Sequence, residues 1–159
     1  MVTFVTTQTQ IILKKLLSLL LFVAFAFDVK SADLDNIHFN VYRNGSKIGY
    51  HKIDFDNKTN ATNPNVEIKF EVTFLGFTVY DYFHKNNENW VNNSLVQLKT
   101  TTDMNGKDLY CNASKINNGI SLDGTNNKKD INYQILPTSY WNYELVEDRR
   151  NKKVLNTQD

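Results

Sequence analysis

Proton transfer, nucleophilic attack and metal binding each need particular side chains at particular spacings, and this chain offers few of them. Its histidines are His38, His51 and His84, and Cys111 is its one cysteine. No GxSxG, GxxxxGK[ST] or GxGxxG pattern occurs, so neither a nucleophile elbow nor a phosphate-cradling loop is encoded locally. If Asn44-Gly45 forms a two-residue turn, strict counting puts His38 directly opposite His51, with Cβ atoms about 4.5–5.5 Å apart. Two imidazoles so placed are two-thirds of a zinc or copper site. No third ligand stands at suitable spacing, and Asn40 and Lys47 lie beside the pair, so it reads as polar surface and no metal is assigned. Cys111 would be a nucleophile only with a histidine beside it to lower its pKa. Its alternation with Leu109 and Ala113 turns it inward as an inert thiol. Glu67 and Glu71 flank Lys69 on one strand face, the ordinary pattern of a solvated sheet. No catalytic residue and no cofactor is expected. The alternative is a hydrolase in which His84 and Glu88 serve as acid and base.

Aromatic side chains are the stronger signal, at 13% of the sequence. Tyr80, Tyr82, Trp90, Tyr140 and Trp141 stand beyond the plain alternating core, and with His84 they form the candidate ligand-binding set. Barrel interiors hold ligands in mostly apolar, aromatic-lined cavities with a few polar groups. A lipid or other apolar small molecule is therefore the expected partner. The plainer explanation is that a small β protein fills its own core with rings.

The elements that must position these side chains alternate with period two, the mark of half-buried strands. Residues 37–43 and 46–55 flank Asn44-Gly45, the strongest short-range hairpin signal, because both central residues of a type I′ turn need φ > 0. Counting from that turn puts Val41 opposite Ile48 and Phe39 opposite Tyr50. Ile53 and Phe55 then fall on the other face, which calls for a bulge near Lys52. Residues 66–74 keep every apolar side chain on one face. Residues 77–84 are aromatic on both faces, as in a central strand or a cavity wall, and a short segment 88–91 stands between Asn86-Asn87 and Asn92-Asn93. Asn105-Gly106 makes a second hairpin, with Thr102 facing Leu109, Thr100 facing Cys111 and Leu98 facing Ala113. Short strands follow near 120–122 and 131–135, and 140–150 has room for a helical turn or two. No long 3.6-residue period occurs. The expected fold is all-β, an antiparallel meander forming a partial or open β-barrel, because closure is the usual way such a meander removes its edges.

Length and charge set the rest. The chain has 159 residues with 18 basic and 17 acidic side chains, room for one small domain. Lys14 and Lys15 precede a 12-residue apolar run, Leu16 to Phe27. A membrane-spanning helix needs about 20 residues, whereas a secretory leader needs about 7–15. Residues 1–32 therefore read as a signal peptide and 33–159 as a single β domain. The expected location is periplasmic or secreted, or the inner membrane if the signal stays uncleaved. Membrane contact is expected only in passing, through the leader. Removing residues 1–32 takes away three lysines and one aspartate, leaving 15 basic and 16 acidic side chains. That balance carries no footprint for nucleic acid. A lone cysteine cannot form an internal disulfide. The sequence also holds 22 Asn, with glycosylation-type sequons starting at Asn44, Asn57, Asn60, Asn92 and Asn112. A base-composition bias that loads loops with Asn explains them more simply than modification does.

Several segments follow one another in a familiar order: Val41-Tyr42-Arg43-Asn44-Gly45 with Ile48-Gly49-Tyr50-His51; Thr78 to His84 with Glu88 and Trp90; Leu95 leading to Thr101-Thr102 and Asn105-Gly106; Pro137 to Asn142; and Asn156-Thr157-Gln158. Together they resemble a family of exported proteobacterial proteins catalogued only as a domain of unknown function. The resemblance covers most of residues 37–158, and Ser139-Tyr140-Trp141-Asn142 and Asn156-Thr157-Gln158 are its most specific parts. It implies a signal peptide and a β-rich periplasmic domain, and no activity, cofactor or catalytic residue. His51, His84, Glu88 and Trp90 match recurring positions of that family, and His38 does not. Such proteins continue past the Asn-Thr-Gln segment with further strands, so the β domain is expected to be incomplete at its carboxyl end.

Overall fold

In a computed structural model of the chain, residues 34–56, 58, 60–147 and 153–158 are described. The leader expected over 1–32, and the charged end of the helical segment at 148–150, lie outside them. Among the described residues no helix is long and apolar enough to cross a membrane.

The chain runs through β1 (Ile37–Arg43), β2 (Ser46–Phe55), β3 (Ala61–Thr62), β4 (Pro64–Phe74), β5 (Phe77–Val91), β6 (Ser94–Met104), β7 (Lys107–Ile116), β8 (Gly119–Gly124), β9 (Lys128–Ile131), β10 (Ile135–Pro137), a four-residue helix α1 (Glu144–Glu147) and β11 (Lys153–Leu155). Nine strands form one antiparallel sheet in the order β1-β2-β4-β5-β6-β7-β8-β9, with β3 beside β5. The sheet is not closed into a barrel: β1 and β9 stand at its two ends. β10 and β11 pair in parallel as a separate two-stranded sheet, so the meander ends at β9 and the 131–135 segment is divided between two sheets.

Four of the turns have positive φ at both central residues: Asn44-Gly45, Leu75-Gly76, Asn92-Asn93 and Asn105-Gly106. This gives the abundance of Asn a local physical use, since Asn tolerates the left-handed region better than other non-glycine residues. Among the described residues, five of the seven non-glycine residues with positive φ are Asn, and the other two are Leu75 and Tyr140.

The β6–β7 pairing is as counted: Leu98 opposite Ala113, Thr100 opposite Cys111, Thr102 opposite Leu109. Cys111 is buried. The β1–β2 pairing corrects the expected register. A shift between Val41 and Tyr42 pairs Val41 with Gly49, Phe39 with His51 and His38 with Lys52. His38 therefore is not the cross-strand neighbour of His51, and the bulge lies next to the turn instead of near Lys52. Gly49 permits this, because a Cβ there would lie 1.8 Å from the Lys69 carbonyl oxygen. One residue of slip exchanges the faces, which turns His51 and Ile53 inward. β5 corrects the second expectation: it runs unbroken for 15 residues through Asn86-Asn87.

Buried side chains gather on one face of the sheet in two clusters. One centres on Leu95, Leu98, Ile120 and Trp90; the other on Ile53, Val66, Ile68 and Tyr82. Trp141 packs against both. Each fully buried Leu or Ile contributes about 1.5–3 kcal/mol of gross burial.

Candidate functional site

The inward row of β5 is Tyr80, Tyr82, His84, Asn86, Glu88 and Trp90, alternate residues of one strand. From Tyr82 onward every one is buried, although the middle three are polar. Successive rings stack along the strand, with Tyr80 to Tyr82 centroids at 6.4 Å and 4° between planes, and Tyr82 to His84 at 6.3 Å and 22°. Phe70 of β4 stacks on Tyr82 at 5.6 Å. These contacts follow from the side-chain spacing along a strand and across to its neighbour.

His84 Nδ1 hydrogen-bonds Thr102 Oγ1 at 2.8 Å. Burial, and to a lesser degree the His51 imidazole, lower the His84 pKa to about 4. Burial lowers that of His51 as well. The two histidines lie in one row across the sheet, either side of Ile68. Both are neutral at pH 7. Burial raises the Tyr82 phenol to about 12, with smaller contributions from the Tyr80 and Tyr140 phenols, so it keeps its proton.

Glu88 closes the other end of the row. Its Oε1 accepts from Asn86 Nδ2 at 2.7 Å. Its Oε2 accepts two indole N–H groups, from Trp90 at 2.6 Å and Trp141 at 3.0 Å. The two indoles meet edge to face at 5.5 Å, and Phe55 packs on Trp141 at 5.8 Å. Trp141 arrives on a segment fastened at both sides. Ahead of it, Thr138 N–H donates to the Leu155 carbonyl and Thr157 N–H donates to Thr138 Oγ1. After it, Asn142 Oδ1 accepts the Glu144 N–H at 3.0 Å, capping α1. The Ser139-Tyr140-Trp141-Asn142 and Asn156-Thr157-Gln158 motifs thus serve one joint, which seats Trp141 on Glu88. His84 and Glu88 are four residues apart on a strand, about 13 Å, with Asn86 between. They are not brought within hydrogen-bond reach of each other.

Away from Glu88 the inner face becomes progressively exposed. On β4 the series Val66, Ile68, Phe70, Val72 passes from buried to half-buried, as does Thr100, Thr102, Met104 on β6. On β1, Phe39 is 54% exposed. Tyr140, held at φ 62° and 70% exposed, stands edge-on to His51 at 6.4 Å, and Phe39 flanks the same imidazole at 6.1 Å. At the inner end of this aromatic trough, the buried atoms His51 Nε2, Tyr82 Oη and Asn86 Oδ1 have no hydrogen-bond partner in the protein. Buried polar atoms left so cost about 1–3 kcal/mol each, and native proteins keep few of them.

The candidate set divides in two. Tyr80, Tyr82 and His84 form the trough with Tyr140, which reaches them through His51. Trp90 and Trp141 lie at the opposite end, committed to Glu88. Counting missed His51, Phe39 and Phe70 as trough residues; the signal for His51 was Gly49, a strand glycine that marks a close backbone approach. Among the described residues no group of three His, Cys, Asp or Glu side chains is placed to hold a metal ion.

No curated protein and no solved structure matches the chain. The family model described as Domain of unknown function (DUF6134) matches residues 39–159, a span holding both the trough and the Glu88 clamp. The chain belongs to that family.

Proposed function

We propose that this chain is an exported, non-catalytic binding domain that takes an apolar or envelope-derived molecule, such as a lipid, into the trough between Tyr80 and His51. One observation carries the proposal: a stacked aromatic wall, open at Tyr80 and Phe39, ends on the unpartnered Tyr82 hydroxyl and His51 Nε2. Apolar sites are typically lined this way, rings giving area and a few polar groups fixing orientation. The ligand's acyl or aromatic body lies on Phe70, Tyr80 and Phe39, and its polar end meets Tyr82 and His51. A protonated phenol donates, so the matching ligand group is an acceptor oxygen.

Two features support binding over hydrolysis through His84 and Glu88. Both Glu88 oxygens already accept hydrogen bonds, and His84 is buried, with Nδ1 tied to Thr102. The basic pair Lys14-Lys15 ahead of a short apolar run supports export. Native mass spectrometry of the protein recovered from its own host without detergent tests the reading. A co-purified lipid-sized adduct is expected, removed by organic solvent; bare protein alone would count against it.

A further inference from the structure

Among the described turns with positive φ at both central residues, the β4–β5 turn alone opens on neither Asn nor Gly. Leu75 holds φ 50° with Gly76 at 82°, whereas the corresponding residues elsewhere are Asn44, Asn92 and Asn105. A leucine in the left-handed region is strained, and Asn is the residue that hairpin folding favours there. Leu75 is also 81% exposed, so no packing within the chain offsets the strain. Strain without an internal reason points to use outside the fold.

The neighbours share this character. A register shift between Val72 and Thr73 brings Phe74 opposite Phe77, on the face that Phe70 and Val72 present, at the open end of the sheet. Phe74 is 65% and Phe77 74% exposed, and Val79 follows at 56%. Beside them a groove of ≈ 620 Å³ separates this tip from the β1–β2 turn, with Arg43, Lys47, Phe74 and Val79 among its lining residues. Glu71 is its one acidic residue.

We propose that the tip Phe74-Leu75-Gly76-Phe77 docks on an anionic lipid bilayer, its apolar side chains entering the acyl boundary while Arg43 and Lys47 meet the headgroups. The shape selects a bilayer over a protein partner. A specific protein interface needs about 800 Å² per partner with a complementary surface, and a two-residue turn with three apolar neighbours is a small convex tip. A bilayer needs no complementary relief, and basic side chains beside an apolar tip are what an anionic leaflet attracts. This membrane contact is additional to any made by the leader, and it does not rest on the trough reading.

The test uses the full chain carrying Phe77→Trp, with vesicles of phosphatidylcholine and phosphatidylglycerol whose acyl chains are brominated. The unsubstituted chain supplies the background from Trp90 and Trp141. Quenching of the new indole is expected on anionic vesicles and much less on pure phosphatidylcholine. Adding Leu75→Asn should reduce the quenched fraction about tenfold while leaving the melting temperature equal or higher, because Asn suits the turn. No quenching, equal quenching with Leu75→Asn, or equal quenching on both vesicle types would overturn the proposal. A concentration-dependent blue shift without lipid would also overturn it, showing instead that a second copy covers the tip.

Discussion

Trp141 donates its indole N–H to Glu88 Oε2 at 3.0 Å, joining residues 53 apart in the chain. Trp90 donates to the same oxygen from two residues away on the same strand. One buried carboxyl group therefore ties the closing segment to the centre of the sheet. Its position explains why an acidic side chain stands on the inward face of β5: both of its oxygens accept from N–H groups that would otherwise be buried without partners.

Replacing Glu88 by Gln puts an NH₂ group against one set of these donors. A loss of about 1–3 kcal/mol is expected per donor left unsatisfied. Trp141→Phe keeps most of the ring and removes one bond, at a cost of about 1 kcal/mol. Urea unfolding of both variants and of the double variant gives their coupling. Additive effects would mean that the clamp does not act as a unit.

The histidines set a pH dependence. Burial chiefly, and then His51, lower the folded His84 pKa to about 4, from the ordinary histidine value of 6.5. His51 is lowered in the same direction by burial. Between these values the unfolded chain binds protons that the folded chain does not, so stability falls as pH falls from about 6.5 towards 4. For one proton the slope is about 1.4 kcal/mol per pH unit. Urea midpoints measured across that window should decline, and His84→Gln should flatten the decline. An unchanged slope in that variant would contradict this origin.

Gly49→Ala tests the bulge that turns His51 inward. The added Cβ would meet the Lys69 carbonyl oxygen at 1.8 Å, so β2 and β4 must separate locally. A loss of about 1–3 kcal/mol is expected, as for other overpacked sites. Circular dichroism during urea unfolding measures it, and wild-type stability would mean that the strands slip freely there.

How much of this was legible depends on which residues obeyed alternation. The apolar stripe of β4 and the Asn105-Gly106 hairpin read directly, and counting from that turn placed Thr100, Cys111 and Ala113 correctly. The Asn44-Gly45 hairpin did not yield to counting, because a bulge beside the turn shifts His51 by one residue and exchanges its face. The sequence pattern breaks β5 at Asn86-Asn87 because polar residues are ordinarily assigned to solvent. Here His84, Asn86 and Glu88 face inward, with Thr102, Trp90 and Trp141 among their partners. The aromatic candidates were found by composition, but their division into a trough and a clamp depends on contacts between distant segments. The parallel β10–β11 pair depends on such contacts too, and no local pattern announces it.

The most direct test of the trough is a binding titration of the full chain with a naphthylamine probe that fluoresces only in apolar surroundings, displaced by a long-chain fatty acid. Tyr80→Ser and Tyr140→Asn should each weaken probe binding about tenfold or more, as loss of one ring face implies, with little change in unfolding midpoint, because neither ring is fully buried. Saturable binding that is displaced by the fatty acid and lost in these variants is the predicted result. No saturable binding, or binding unaltered by either substitution, would contradict the trough as the ligand site.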